Sequence, residues 1–266
     1  MQQFQYQHTT QYFETYGQGA PVLLLHGFGF DATIWKYQIA ALATTYQCIV
    51  PYLPGIKEGS SLTGKIEAAL TDYSDVMVAL LDHLHVSAAV IIGHSMGGYI
   101  AAAMAASHPE KVKAIGFVHS TTYADSAEKK ENRCKAIAVM EQYGGASFLR
   151  SIMPNFFGAA FKNEHPEVVA ACIDNSSNFP TTTLQAYYYA MMMRPDNSSV
   201  LQLKKPVLWI AGTEDGAVPL NDVLQQAAMA ELTYIHVLPA VGHMGMLEAP
   251  KQVNQYLLAF LKGVYP

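Results

Sequence analysis

Ala88-Ala89-Val90-Ile91-Ile92-Gly93-His94-Ser95-Met96-Gly97-Gly98 is the stretch that decides the fold. Its uninterrupted apolar start reads as a strand buried on both faces, the mark of a parallel sheet. The alanine-rich run from Gly98 to Ala106 reads as the helix that follows. Between them lies a G-x-S-x-G turn, so Ser95 is expected on a sharp strand-to-helix hinge at the sheet edge. Such a turn holds the serine in a sparsely populated backbone conformation, and Gly93, Gly97 and Gly98 let strand and helix approach closely. The five-residue pattern alone recurs by chance. The strand before it and the helix after it make Ser95 a candidate nucleophile.

A serine used this way needs an acid and a histidine downstream, each on a loop after a later strand. Pro206-Val207-Leu208-Trp209-Ile210-Ala211 reads as a strand running into Gly212-Thr213-Glu214-Asp215, and Asp215 is preferred to Glu214. Thr233 to Leu238 reads as the next strand, leading to Gly242-His243. The chain has ten histidines, and position after the last strand singles out His243. His8, His83, His85, His108, His165 and His236 are read as surface or structural residues.

Chemistry explains the grouping. A serine hydroxyl is a weak nucleophile, so an imidazole must take its proton and return it to the leaving group, while a carboxylate holds the other ring nitrogen. The oxyanion needs donors. Val22 to Leu25 reads as a buried strand ending in His26-Gly27-Phe28-Gly29, and the oxyanion hole is assigned to the backbone N–H groups of Phe28 and Met96. His26 is expected to pin its loop.

On these motifs, His26-Gly27-Phe28-Gly29, Gly93 to Gly98, Gly212 to Asp215, and Gly242-His243 with Glu248 and Pro250, the chain resembles the α/β-hydrolase superfamily over nearly its whole length. The resemblance is to its cap-bearing branch of carboxylesterases, enol-lactonases and carbon-carbon bond hydrolases. One departure is plain. Where that family often carries Asp-Leu-Pro-Gly-His-Gly, this chain has Tyr52-Leu53-Pro54-Gly55-Ile56-Lys57, so the family's contacts in that loop are not carried over.

At 266 residues and 51% hydrophobic, the chain can bury one large core. A formal charge of -5 gives no basic footprint, and nucleic acid is not an expected partner. The N-terminus lacks the pattern of a secretory signal and no stretch is long enough to span a bilayer. Cys48, Cys134 and Cys172 are scattered without metal-type spacing, as free thiols in a cytoplasmic protein would be. No metal or cofactor is expected.

The expected architecture is α/β: a mostly parallel sheet flanked by helices, with a helical cap inserted after the strand ending near His119. Two early strands, around Phe4 to Gln7 and Gln11 to Tyr16, form an antiparallel edge joined through Gly17-Gln18-Gly19 to the strand ending at His26. Ile66, Leu70, Tyr73, Met77, Leu80, Leu81 and Leu84 mark an amphipathic helix. Ala114 to Val118 is a strand, and from about Thr121 to Lys205 only helical segments follow. The division is therefore 1–120 and 206–266 as core, with 121–205 as cap.

The cap should set substrate preference. Leu184 to Met193 places aromatics and methionines on more than one face of a helix, one packing on the core and the other roofing a pocket. Tyr188, Met192, Phe156, Phe157 and His119 are the pocket candidates, with Phe148 and Phe161 as further apolar ones. The bland reading of each is cap core. All three arginines, Arg133, Arg150 and Arg194, lie in the cap; surface salt bridges are their commoner use, and clamping a substrate carboxylate the rarer. Asp125 is an alternative acid, set aside because Asp215 sits in a turn matched to its strand.

The expected function is hydrolysis of a small-molecule carboxylic ester, or a related acyl substrate, through an acyl-Ser95 intermediate. Enol-lactone or carbon-carbon hydrolysis and perhydrolysis would use the same residues. A non-catalytic ligand-binding module would have no need to keep all three. Dehalogenase and epoxide hydrolase chemistry is disfavoured, since it needs a carboxylate at position 95.

Overall fold

The structure, a computed structural model, describes residues 1–62 and 67–266. Its strands are β1 (Gln2–Tyr6), β2 (Thr9–Tyr16), β3 (Ala20–Leu25), β4 (Tyr46–Pro51), β5 (Ala89–His94), β6 (Val112–Val118), β7 (Val207–Gly212) and β8 (Thr233–Leu238). They form one sheet in the order β1-β2-β4-β3-β5-β6-β7-β8. Pairing is antiparallel from β1 to β2 and from β2 to β4, and parallel everywhere else.

The apolar runs explain the order. Every residue of β5 and β7 is buried, because a parallel strand with helices on both faces has no solvent side. The alanine-rich helix Met96–Ser107 packs against β5, β6 and the helix Leu70–His83, and Lys36–Leu42 packs against Pro250–Val264. Small side chains let Met96–Ser107 be buried almost all round. Leu70–His83 buries Tyr73, Met77, Leu80 and Leu81 as its spacing predicts, while Leu84 follows its end and Ile66 lies outside the described residues.

The expected antiparallel pair is present, and Gly17-Gln18-Gly19 connects β2 to β3 as expected; within the sheet β2 lies beside β4. β3 stops at Leu25, one residue short of the expected end, which frees His26 for the loop.

Between β6 and β7, among the described residues, there is no strand. Five α-helices fill the interval: Ala127–Tyr143, Gly145–Ile152, Ala159–Glu164, Pro166–Ser176 and Thr181–Met193. The last is tied to the unusual loop after β4. Tyr187 Oη donates to Pro54 O at 2.9 Å and Thr183 Oγ1 to Gly55 O at 2.9 Å. The same loop is held from the core side, where Leu53 N–H donates to His26 Nε2 at 2.9 Å. No helix of the described residues is long and apolar enough to cross a membrane.

Candidate active site

The carboxyl ends of β3, β5, β6, β7 and β8 lead to His26, Ser95, His119, Asp215 and His243 in turn, the edge of an open α/β sheet where ligands bind. Ser95 has φ 52° and ψ -118°, a strained conformation that persists only because its surroundings demand it. Its carbonyl accepts from Ser120 Oγ at 2.7 Å and from Gly98 N–H at 2.9 Å. A Cβ on Gly97 would collide with the Leu25 carbonyl oxygen, so only glycine lets this helix start so close to β3.

Asp215 and His243 meet although 28 positions separate them: His243 Nδ1 lies 2.9 Å from Oδ2 and 3.0 Å from Oδ1 of the carboxylate. The other donors to Asp215 are the backbone N–H groups of Ala217 and Val218, both at 2.9 Å, and the His119 ring at 3.0 Å. Burial alone would raise the Asp215 pKa. The charge of His243 and the hydrogen bonds from His119 and His243 outweigh it and hold the carboxyl far below the usual carboxylate range. With Nδ1 facing a carboxylate, the His243 proton is assigned there, which puts the lone pair on Nε2.

His94, immediately before Ser95, links the two loops. Its Nε2 lies 3.0 Å from the His243 carbonyl oxygen, and the two rings are 4.9 Å apart. Burial, with His243 and His119 as neighbours, pushes its pKa well below the ordinary value, so the ring is neutral. Across the turn, a Cβ on Gly27 would stand 3.0 Å from Ser95 Cβ. The Gly27–Phe28 backbone therefore runs directly over the serine. Met96 opens its helix, where no intrahelical acceptor exists for its N–H, and among the described residues neither this N–H nor that of Phe28 enters the loop and turn hydrogen bonds.

His26 pins its loop as expected. Its Nδ1 lies 3.0 Å from Gly27 O while its Nε2 accepts from Leu53, and burial lowers its pKa to about 4. The Glu214 carboxylate is engaged by the insertion, its Oε2 accepting from Ala159 N–H at 2.7 Å.

Asp125 is no free acid either. Its side chain pairs with Arg133 and, at 2.8 Å, with Arg194. Arg133 also lies over the Tyr188 ring at 5.0 Å and Arg194 over the Tyr99 ring at 3.9 Å. These two arginines thus form an internal ion cluster where surface pairs were expected. Arg150 is exposed.

The pocket candidates separate. Tyr188 packs edge-on against Phe28 at 4.4 Å and against Phe148 at 5.7 Å. Phe156 lies 5.4 Å from the His243 ring. Phe157, by contrast, is buried and stacked on Phe161 at 5.7 Å. Met192 Sδ sits 3.4 Å from Sγ of the exposed Cys134, at a seam between helices. His119 is corrected outright: it is fully buried with both ring nitrogens engaged, so it cannot form a pocket wall. A cavity of about 290 Å³ opens nearby, lined by Phe30, Ile34, Val168 and Phe179 among others, but none of Ser95, Asp215 or His243 borders it.

A strand-to-helix serine turn and a buried Asp–His pair, on one mostly parallel sheet with helices inserted between β6 and β7, define a class of protein. The chain belongs to the Alpha/beta hydrolase family, whose model matches residues 22–256. It is 30% identical over 95% of its length to a dihydrolipoyllysine-residue acetyltransferase component of the acetoin cleaving system from Pseudomonas putida, and spans only 66% of that relative. It is 26% identical to an (E)-2-((N-methylformamido)methylene)succinate hydrolase from Acinetobacter baylyi, covering 96% of this chain and 94% of the relative. Among solved structures, a thermophilic esterase from Thermogutta terrifontis, determined with malate bound, superposes with a TM-score of 0.91 at 29% identity, covering 97% of this chain and 95% of that one.

Proposed function

We propose that this protein is a serine hydrolase that cleaves a carboxylic ester or a related acyl substrate through an acyl-Ser95 intermediate. The observation that carries the reading is the His243–Asp215 pair at 2.9 Å, tied through His94 to the turn that bears Ser95. His243 Nε2 takes the Ser95 proton as Oγ bonds to the acyl carbon. The carbonyl oxygen becomes an oxyanion facing the N–H groups of Phe28 and Met96. Collapse expels the alcohol, which receives the proton from His243, and water attacks the acyl-enzyme by the same steps.

Residues 121–205 act as a cap that shapes the acyl side of this site, with Tyr188, Phe28, Phe148 and Phe156 as its apolar wall. Because Arg133 and Arg194 are spent on Asp125, the reading favours uncharged acyl groups over substrates that need a carboxylate anchor. Three free cysteines suit a cytoplasmic location.

The test is labelling with a fluorophosphonate, followed by a panel of esters, lactones and keto acids. Wild type should label once and Ser95→Ala not at all. Labelling of Ser95→Ala at the wild-type rate would remove Ser95 from the mechanism, and turnover confined to keto acids would replace ester cleavage by carbon-carbon hydrolysis.

A further inference from the structure

We propose that His119 is a positioning residue for the Asp215–His243 pair: its Nδ1–H holds the carboxylate while its Nε2 holds the backbone of the loop that carries His243. This rests on the reading of Asp215 and His243 given above and adds a fourth member to it.

The hydrogen bonds determine the tautomer. Gly245 N–H donates to His119 Nε2 at 3.2 Å, so Nε2 carries the lone pair and the proton is on Nδ1, 3.0 Å from Asp215 Oδ2. Oδ2 therefore receives two imidazole N–H groups, from His119 and His243, while Oδ1 receives the N–H groups of Ala217 and Val218. Four donors thus occupy the carboxylate and fix the plane in which it faces His243.

His119 is built in for this contact. It is completely buried, it has φ 49°, and its own N–H donates to Ile210 O at 2.8 Å. A non-glycine residue is held there only where the surroundings repay the strain. A Cβ on Gly245 would collide with His119 Nε2, so the loop after His243 has glycine where the ring arrives. One side chain at the end of β6 thus joins the turn after β7 to the loop after β8. His119 has no exposed surface with which to meet a substrate, and its effect on chemistry must pass through Asp215 and His243.

Three substitutions separate hydrogen bonding from packing. Asn places an amide N–H where Nδ1 stands and keeps the arm to Asp215; Gln places a carbonyl oxygen where Nε2 stands and keeps the arm to Gly245; Phe fills the volume and keeps neither. Positioning predicts that His119→Phe lowers kcat about 10- to 100-fold with KM changed less than about twofold, by analogy with other outer-shell histidine and carboxylate partners. His119→Asn should recover most of the loss. A packing role predicts the reverse, with Phe the mildest change and Asn the worst, and that order would overturn the proposal.

Nitrogen-15 histidine NMR of the resting wild-type protein supplies a readout without substrate. His119 should appear as the Nδ1–H tautomer. An Nε2–H tautomer would overturn the proposal even if His119→Phe failed to fold. The functional reading fails separately, if Ser95→Ala retains ester hydrolysis, and the tautomer measurement is untouched by that result.

Discussion

The carbonyl of Phe156 accepts the backbone N–H of His243 at 2.6 Å, so the helical insertion and the last loop of the sheet share a hydrogen bond. Glu248 strengthens the junction. Its carboxylate accepts from Gly158 N–H at 2.8 Å, from Gly242 N–H at 3.1 Å and from Met244 N–H at 3.1 Å. Residues before and after His243 are thereby gripped by one side chain that also holds the insertion.

Glu248→Ala leaves three backbone donors without their acceptor. Hydrogen bonds to a charged group that are partly shielded from water suggest a loss of about 2–3 kcal/mol, read as a lower urea midpoint, together with reduced kcat. A variant with wild-type stability and turnover would show that the carboxylate is idle.

Asp215 and Asp125 should respond oppositely to the same change. Asp215→Asn should lower kcat by about four orders of magnitude with the fold intact, because the amide no longer selects the Nδ1–H tautomer of His243. Asp125→Asn should leave kcat within a few-fold but cost about 3 kcal/mol of stability, since it strands Arg133 and Arg194 in the interior. Steady-state kinetics with circular dichroism melts decides. A large kcat loss confined to Asp125→Asn would move the acid to the end of β6.

Acid sensitivity follows from the same residues. Burial would raise the Asp125 pKa, but Arg133 and Arg194 prevail and lower it, as histidines do for Asp215. Both carboxyls thus bind protons less readily folded than unfolded, so their stabilisation is complete above the unfolded carboxylate pKa of about 4 and drains away as pH falls further. The stability gap between wild type and Asp125→Asn should be constant from pH 7 to pH 5 and narrow below about pH 4. A gap unchanged down to pH 3 would contradict the ion cluster.

Neighbouring tyrosines of one helix provide a test of specificity. Tyr188 packs on Phe28, so Tyr188→Ser should change the ratio of kcat/KM for acetyl and octanoyl esters. Met192→Gln should not, since its sulfur meets Cys134. Tyr187→Phe removes the buried bond to Pro54 and should cost about 1 kcal/mol of stability while leaving the ratio alone. Equal ratios in all three would take Tyr188 out of the pocket.

The sheet was legible because its central strands are buried on both faces and therefore spell uninterrupted apolar runs. The Ser95 turn was legible because the serine and its glycines stand together in one short G-x-S-x-G run between an apolar strand and an alanine-rich helix, although the contacts that demand Gly97 and Gly98 come from Leu25 and Ser120. What escaped was contact between distant loops. Nothing local tells that His119 reaches Asp215 and Gly245, or that Asp125 collects Arg133 and Arg194; those meetings depend on how β6, β7, β8 and the inserted helices are placed side by side. Tyr52 to Lys57 lost the family pattern in sequence, yet it is held firmly, by His26 and by Tyr187 and Thr183 from elements far along the chain.

The insertion is fastened at separated places, among them the loop at Pro54–Gly55, which Thr183 and Tyr187 grip, and its own segment Phe156–Ala159, which His243, Glu214 and Glu248 hold. Neither fastening belongs to the helices alone, since each takes its partner groups from the sheet's own loops. Such a segment has no melting temperature of its own: calorimetry should record one endotherm whose van't Hoff and calorimetric enthalpies agree, and amide exchange in Thr181–Met193 should slow to the rate set by unfolding of the whole molecule.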